Sequence, residues 1–104
     1  MSTYGSVLEA LGDPTRRRIV DSLRRGPTSV TAIASGLPVS RPAVSQHLRV
    51  LEEAGIVRHE KNGTRRLYEL DPEGLSALRA WFEALWDDAL RRFADAAEQK
   101  GRKA

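Results

Sequence analysis

The 104-residue chain has no cysteine, so disulfide frameworks, thiolate metal sites and thiol redox sensing are excluded. Histidine is almost as scarce. His47 and His59 are the only two, neither shares ligand-like spacing with a pair of carboxylates, and residues 72–104 contain none. Long apolar runs are missing as well. No segment approaches the roughly 18 residues of a membrane span, and the N-terminus lacks the apolar core of a signal peptide. The expectation is a cytoplasmic protein with no membrane partner. Catalytic signatures are absent too: there is no Gly-rich phosphate loop and no nucleophile elbow. A Ser/His/Asp hydrolase would have to use Ser45, His47 and Asp71. Yet Ser45 and His47 stand two apart on one helix and point about 200° from each other. No catalytic residue and no cofactor is assigned. Asp87-Asp88 reads as a solvated helix face rather than a cation site.

What is present is a basic surplus, unevenly spread. Lys and Arg number 17 against 14 Asp and Glu, a net charge of +3. Residues 1–66 carry 11 basic and 6 acidic side chains, whereas residues 67–104 carry 6 and 8. The N-terminal part is therefore the part expected to face a polyanion. The length suits one domain over residues 1–98, with 99–104 as a frayed basic tail.

Helical spacing dominates the chain. Val7, Leu8 and Leu11 predict a short first helix ending at Gly12. Asp13 then caps a second helix with Pro14 at its first position, Ile19, Val20 and Leu23 on its inner face, and Gly26-Pro27 as its stop. Arg16 and Arg17 fall at that N-terminus, where the macrodipole disfavours cations; a phosphate or carboxylate partner would offset this. Thr28 or Ser29 caps a third helix holding Val30, Ile33 and Ala34 and closed by Gly36. After a tight connection, Ser40 caps a fourth helix that should run to about Ala54, with Gly55 as its left-handed cap.

Asn62-Gly63 predicts a β-hairpin with a type I′ turn. The expected register pairs Lys61 with Thr64, Glu60 with Arg65 and Val57 with Tyr68, leaving Val57, Tyr68 and Leu70 on one face. After Asp71-Pro72 a long helix carries Leu75, Leu78, Phe82, Leu85, Ala89 and Phe93 in one stripe, widened by Trp81, Trp86 and Leu90. The expected fold is mainly α with a small β-hairpin: a winged helix-turn-helix with a long terminal dimerisation helix.

The fourth helix has an unusual polar face. Val44, Leu48 and Leu51 recur at i, i+4 and i+7, while Arg41, Ser45, Gln46 and Arg49 lie opposite, with Pro42 in the first turn. A DNA major groove needs short hydrogen-bonding side chains, Arg for guanine and Gln for adenine, at the start of the inserted helix. Arg41, Ser45 and Gln46 are therefore the candidates for base reading. Ser40 and Arg49 fall close to base or backbone, and Pro42 is placed to touch a thymine methyl. Thr31, Lys61, Arg65 and Arg66 are expected at phosphates or the minor groove. The partner read from these residues is a double-stranded DNA operator.

The segments ALGDPTRRRIVDSL, VSRPAVSQHLRVLEEAGIV and NGTRRLYELDPEGL resemble the ArsR-type winged-helix transcriptional repressors, in the same order and spacing, over about residues 4–93. The resemblance implies a homodimeric bacterial repressor on a palindromic operator, with the first and last helices forming the dimer interface. The residues expected there are Val7, Leu8, Leu11, Leu78, Phe82, Leu85, Trp86, Ala89 and Phe93. Metal-sensing members carry cysteines near the recognition helix, or Asp and His on the last helix. This chain departs from both patterns, and LRAWFEALWDDAL resembles the metal-independent branch. Two other readings stay open. One is a small-molecule-responsive regulator with a pocket between wing and last helix, although no residue names an inducer. The other is a winged helix that binds protein instead of DNA, which a flat salt dependence would reveal.

Overall fold

The computed structural model describes residues 4–102. In chain order the elements are α1 (Tyr4–Ala10), α2 (Pro14–Ser22), β1 (Thr28–Ser29), α3 (Val30–Ser35), α4 (Arg41–Glu53), β2 (Val57–Asn62), β3 (Arg65–Leu70) and α5 (Pro72–Arg102). This is a winged helix-turn-helix, with α3 and α4 as the paired helices and the strands as the wing.

Local chemistry sets the helix starts. The Arg16 backbone N–H donates to Asp13 Oδ2 at 2.9 Å, that of Ala32 to Ser29 Oγ at 3.2 Å, and that of Ala43 to Ser40 Oγ at 3.3 Å. Each side chain satisfies one donor that the first turn leaves open. At the other end of α4, Ile56 N–H reaches the Leu51 carbonyl and Gly55 N–H the Glu52 carbonyl, both at 3.0 Å. Gly55 holds φ +83°, so this is a Schellman ending that needs glycine. The start of α5 packs on this cap: a Cβ on Gly74 would stand 1.5 Å from the Gly55 carbonyl oxygen.

The core draws on most of the elements. Val7, Ile19, Leu23, Ile33, Val44, Leu48, Leu51, Ile56 and Val57 are fully buried, and Tyr68 closes the wing side. Val7 is thereby removed from the dimer interface expected of it. It lies at 0% exposure in the protomer's own core, because α1 is short and turns this residue inward. Leu11 and Leu78 also pack partly against this core.

Three further expectations change. The wing has three strands in the order β1-β3-β2, since Thr28 and Ser29 pair with Tyr68 and Leu67. Two residues are too few to show strand periodicity. The hairpin register is also two residues off: Asn62 faces Arg65, Lys61 faces Arg66, and His59 faces Tyr68. Gly63 alone takes positive φ, at +68°, which is the type II′ pattern with glycine first in the loop. A shift of two keeps every side chain on its face, so Val57, Tyr68 and Leu70 still turn toward the helices. Finally, α5 remains helical to Arg102, through part of the stretch expected to fray, while residues 103–104 lie outside the described residues.

The arginines at the start of α2 turn their side chains back to α1. Arg16 Nε donates to the Ala10 carbonyl at 2.6 Å, and Arg17 Nη1 to the Leu11 carbonyl at 2.7 Å. Their cationic ends thus sit at the electronegative end of α1 and tie α1 to α2. Among the described residues no helix is long and apolar enough to cross a membrane.

Candidate nucleic-acid interface

α4 divides its residues by face. Val44, Leu48 and Leu51 are fully buried, which forces Arg41, Pro42, Ser45, Gln46 and Arg49 outward, and all five are exposed. Ser40 is exposed too, but its hydroxyl is engaged as the cap, so its first role is to fix where the helix begins. Arg49 lies 3.5 Å from Glu53 in a highly exposed pair, too weak to hold the guanidinium against a phosphate.

A groove runs between this face and the wing. From α4 it is lined by Pro42, Ser45, Gln46, Arg49 and Glu52, from the wing by Arg66 and Tyr68, and Val30 of α3 also contributes. Five of the expected DNA-binding residues therefore meet around one channel. Arg41, Thr31, Lys61 and Arg65 are exposed but do not line it. In the observed register Lys61 and Arg66 face each other, so they share the sheet side of His59 and Tyr68, while Arg65 points to the other side. That outer side also carries the Arg58–Glu69 ion pair, at 3.0 Å.

Two residues of this region escape a reading by motif. Glu52 on α4 bonds to His59 on β2, and the His59 ring lies 5.2 Å from that of Tyr68. Only the correct hairpin register sets His59 opposite Tyr68, so the expected pairing hid their meeting. His47 is partly buried. Among the described residues no three of His, Asp and Glu gather as a metal site would require.

The dimer residues form a separate surface. From Phe82 onward every residue of α5 with a described side chain is exposed, including Phe82 at 57%, Leu85, Trp86, Leu90 and Phe93 at 75%. Ala89 is exposed among them, and Leu8 on α1, the main neighbour of α5, is exposed at 42%.

Comparison with known proteins agrees with this architecture. A helix-turn-helix domain model matches residues 11–60. The HTH-type transcriptional regulator Rv2034 of Mycobacterium tuberculosis is 50% identical over 104 residues, covering 97% of each chain. An ArsR-like transcriptional regulator from Rhodococcus sp. RHA1 superposes with a TM-score of 0.76 at 33% identity, over 91% of this chain and 90% of that one. The homodimeric winged helix-turn-helix DNA-binding domain Mb0332 of Mycobacterium bovis, a possible ArsR-family regulator, gives a TM-score of 0.66 at 30% identity over 85% and 82%. A recognition helix with a polar outer face, a wing beside it and these likenesses lead to one conclusion: the chain belongs to the ArsR family of winged helix-turn-helix transcriptional regulators, which bind DNA and are not enzymes.

Proposed function

We propose that the protein is a homodimeric repressor that occupies a near-palindromic operator and does not respond to metal. The observation that carries this reading is the outward row Arg41, Pro42, Ser45, Gln46 and Arg49 at the start of α4, continuous through the groove with Arg66. Arg41, Ser45 and Gln46 read base edges in the major groove; Ser40 and Arg49 hold the helix end and the adjacent backbone; Thr31, Lys61, Arg65 and Arg66 take phosphates. Residues 1–98 act as one DNA-binding and dimerisation unit, in the cytoplasm.

Dimerisation is supported by the uncovered apolar face of α5 and by the homodimeric relative from Mycobacterium bovis. Pairing of Leu8, Leu11, Leu78, Phe82, Leu85, Trp86, Ala89 and Phe93 about a two-fold axis makes an isologous interface. It sets two recognition helices about 34–36 Å apart, one turn of DNA. Metal independence is supported by donor chemistry: α5 offers only carboxylates, and the chain has no thiolate.

Selection of bound fragments from random DNA, followed by titration of salt, tests the reading. The expected result is a near-palindromic site and a steep loss of affinity with salt. Binding that ignores salt would instead favour the protein-interaction module.

A further inference from the structure

We infer that Glu52 and His59 are positioning residues that clamp the wing to the recognition helix and so decide where the wing's cations fall on DNA. The inference deepens the DNA-binding reading and rests on it.

The geometry begins on α4. Ser45, Arg49 and Glu52 recur at i, i+4 and i+7, so the carboxylate of Glu52 ends the same helix face that carries two of the DNA-facing side chains. His59 Nδ1 meets Glu52 Oε1 from β2, with both side chains partly buried. Against an ionised carboxylate Nδ1 carries the proton and donates. The Tyr68 ring packs on the imidazole at 5.2 Å and is itself buried, held by the pairing of Thr28 with Tyr68. The clamp thus joins α4, β2, β3 and β1 at one point.

That point lies at the root of a lever. His59↔Tyr68 is the outermost rung of the wing with a buried side chain; in the next rung Leu67 is half-buried and pairs with Ser29, and beyond that Lys61, Asn62, Gly63, Thr64, Arg65 and Arg66 are all exposed. At about 3.3 Å per residue, the rung Lys61↔Arg66 stands roughly 7 Å past the clamp. A tilt at the root therefore moves Lys61, Arg66 and, one rung farther out, Arg65 together. The fixed bond keeps Arg66 over the groove, facing Ser45 and Arg49.

The test uses the full chain with its selected DNA fragment, and the variants Glu52→Ala, His59→Ala, the double variant and His59→Asn. Alanine at Glu52 preserves helix propensity, so at least that variant keeps its fold. The expected result is that each single alanine lowers the salt slope, by up to about three for Lys61, Arg65 and Arg66, while base preference at the positions read by α4 stays put. The double variant should lose no more than either single one, and Asn, which sets an amide N–H near the Nδ1 position, should restore the slope. Without DNA, wing amides should exchange hydrogen roughly tenfold faster in the alanine variants. Unchanged slopes with wild-type DNA binding intact overturn the clamp alone. A wild type that binds no DNA in a salt-dependent way overturns the repressor reading and, with it, the positioning role.

Discussion

Single residues divide into those proposed to touch DNA and those that hold the frame. Gln46→Ala and Arg41→Ala should each weaken specific binding by about 1–3 kcal/mol and relax base preference at defined positions, because both side chains project freely from the first turns of α4. Competition between specific and random fragments checks this; an unchanged ratio in both variants means that α4 is not the reading helix. Gly74 belongs to the frame. Alanine there drives a methyl into the Gly55 carbonyl, so α5 must shift, and a destabilisation of about 2–3 kcal/mol is expected in thermal unfolding. Asp13 gives the frame a pH dependence. The Arg16 backbone N–H holds its carboxyl below the ordinary 3.8. The cap therefore adds stability above that pH and loses it as pH falls through the lowered value, and Asp13→Asn should flatten this acid limb.

Among the elements, the helices were legible and the wing only partly so. Caps and glycines announce α2, α3 and α4 because Asp13, Ser29, Ser40 and Gly55 act within a few residues of themselves. The wing depends on partners distant in sequence. β1 exists only because Thr28 and Ser29 lie beside β3, and the turn slides one residue because Gly63 outcompetes Asn62 for the first loop position. The site was legible to the same degree: the polar row of α4 follows from helical spacing, whereas Glu52 and His59 need the true register. That register also separates two neighbours that the sequence treats alike. Arg66 lines the groove and Arg65 faces away, so Arg66→Ala should cost more affinity than Arg65→Ala. Both should weaken binding to all sequences and reduce the salt slope, by about one for each phosphate no longer neutralised. An effect confined to one base position would mean that the wing reads sequence.

The whole molecule is long for its size, 69 Å in its greatest extent, because α5 outruns the body it packs against. A helix apolar over so much of its girth must find a second cover. Leu85→Glu should therefore yield monomers or aggregates in sedimentation and abolish operator binding. A wild-type monomer that grips a half-site tightly would falsify the two-fold arrangement. Micromolar zinc should leave operator affinity unchanged, and stoichiometric release of DNA by the metal would reverse that reading. The bare face of α5 also bears on dosage. When a binding unit must be assembled from two chains, its concentration at low expression rises with the square of chain concentration, by mass action. Diluting the cell's supply twofold, as growth and division do, then cuts the assembled form about fourfold. Release of the controlled gene would thus follow growth more sharply than for a regulator that acts as a single chain.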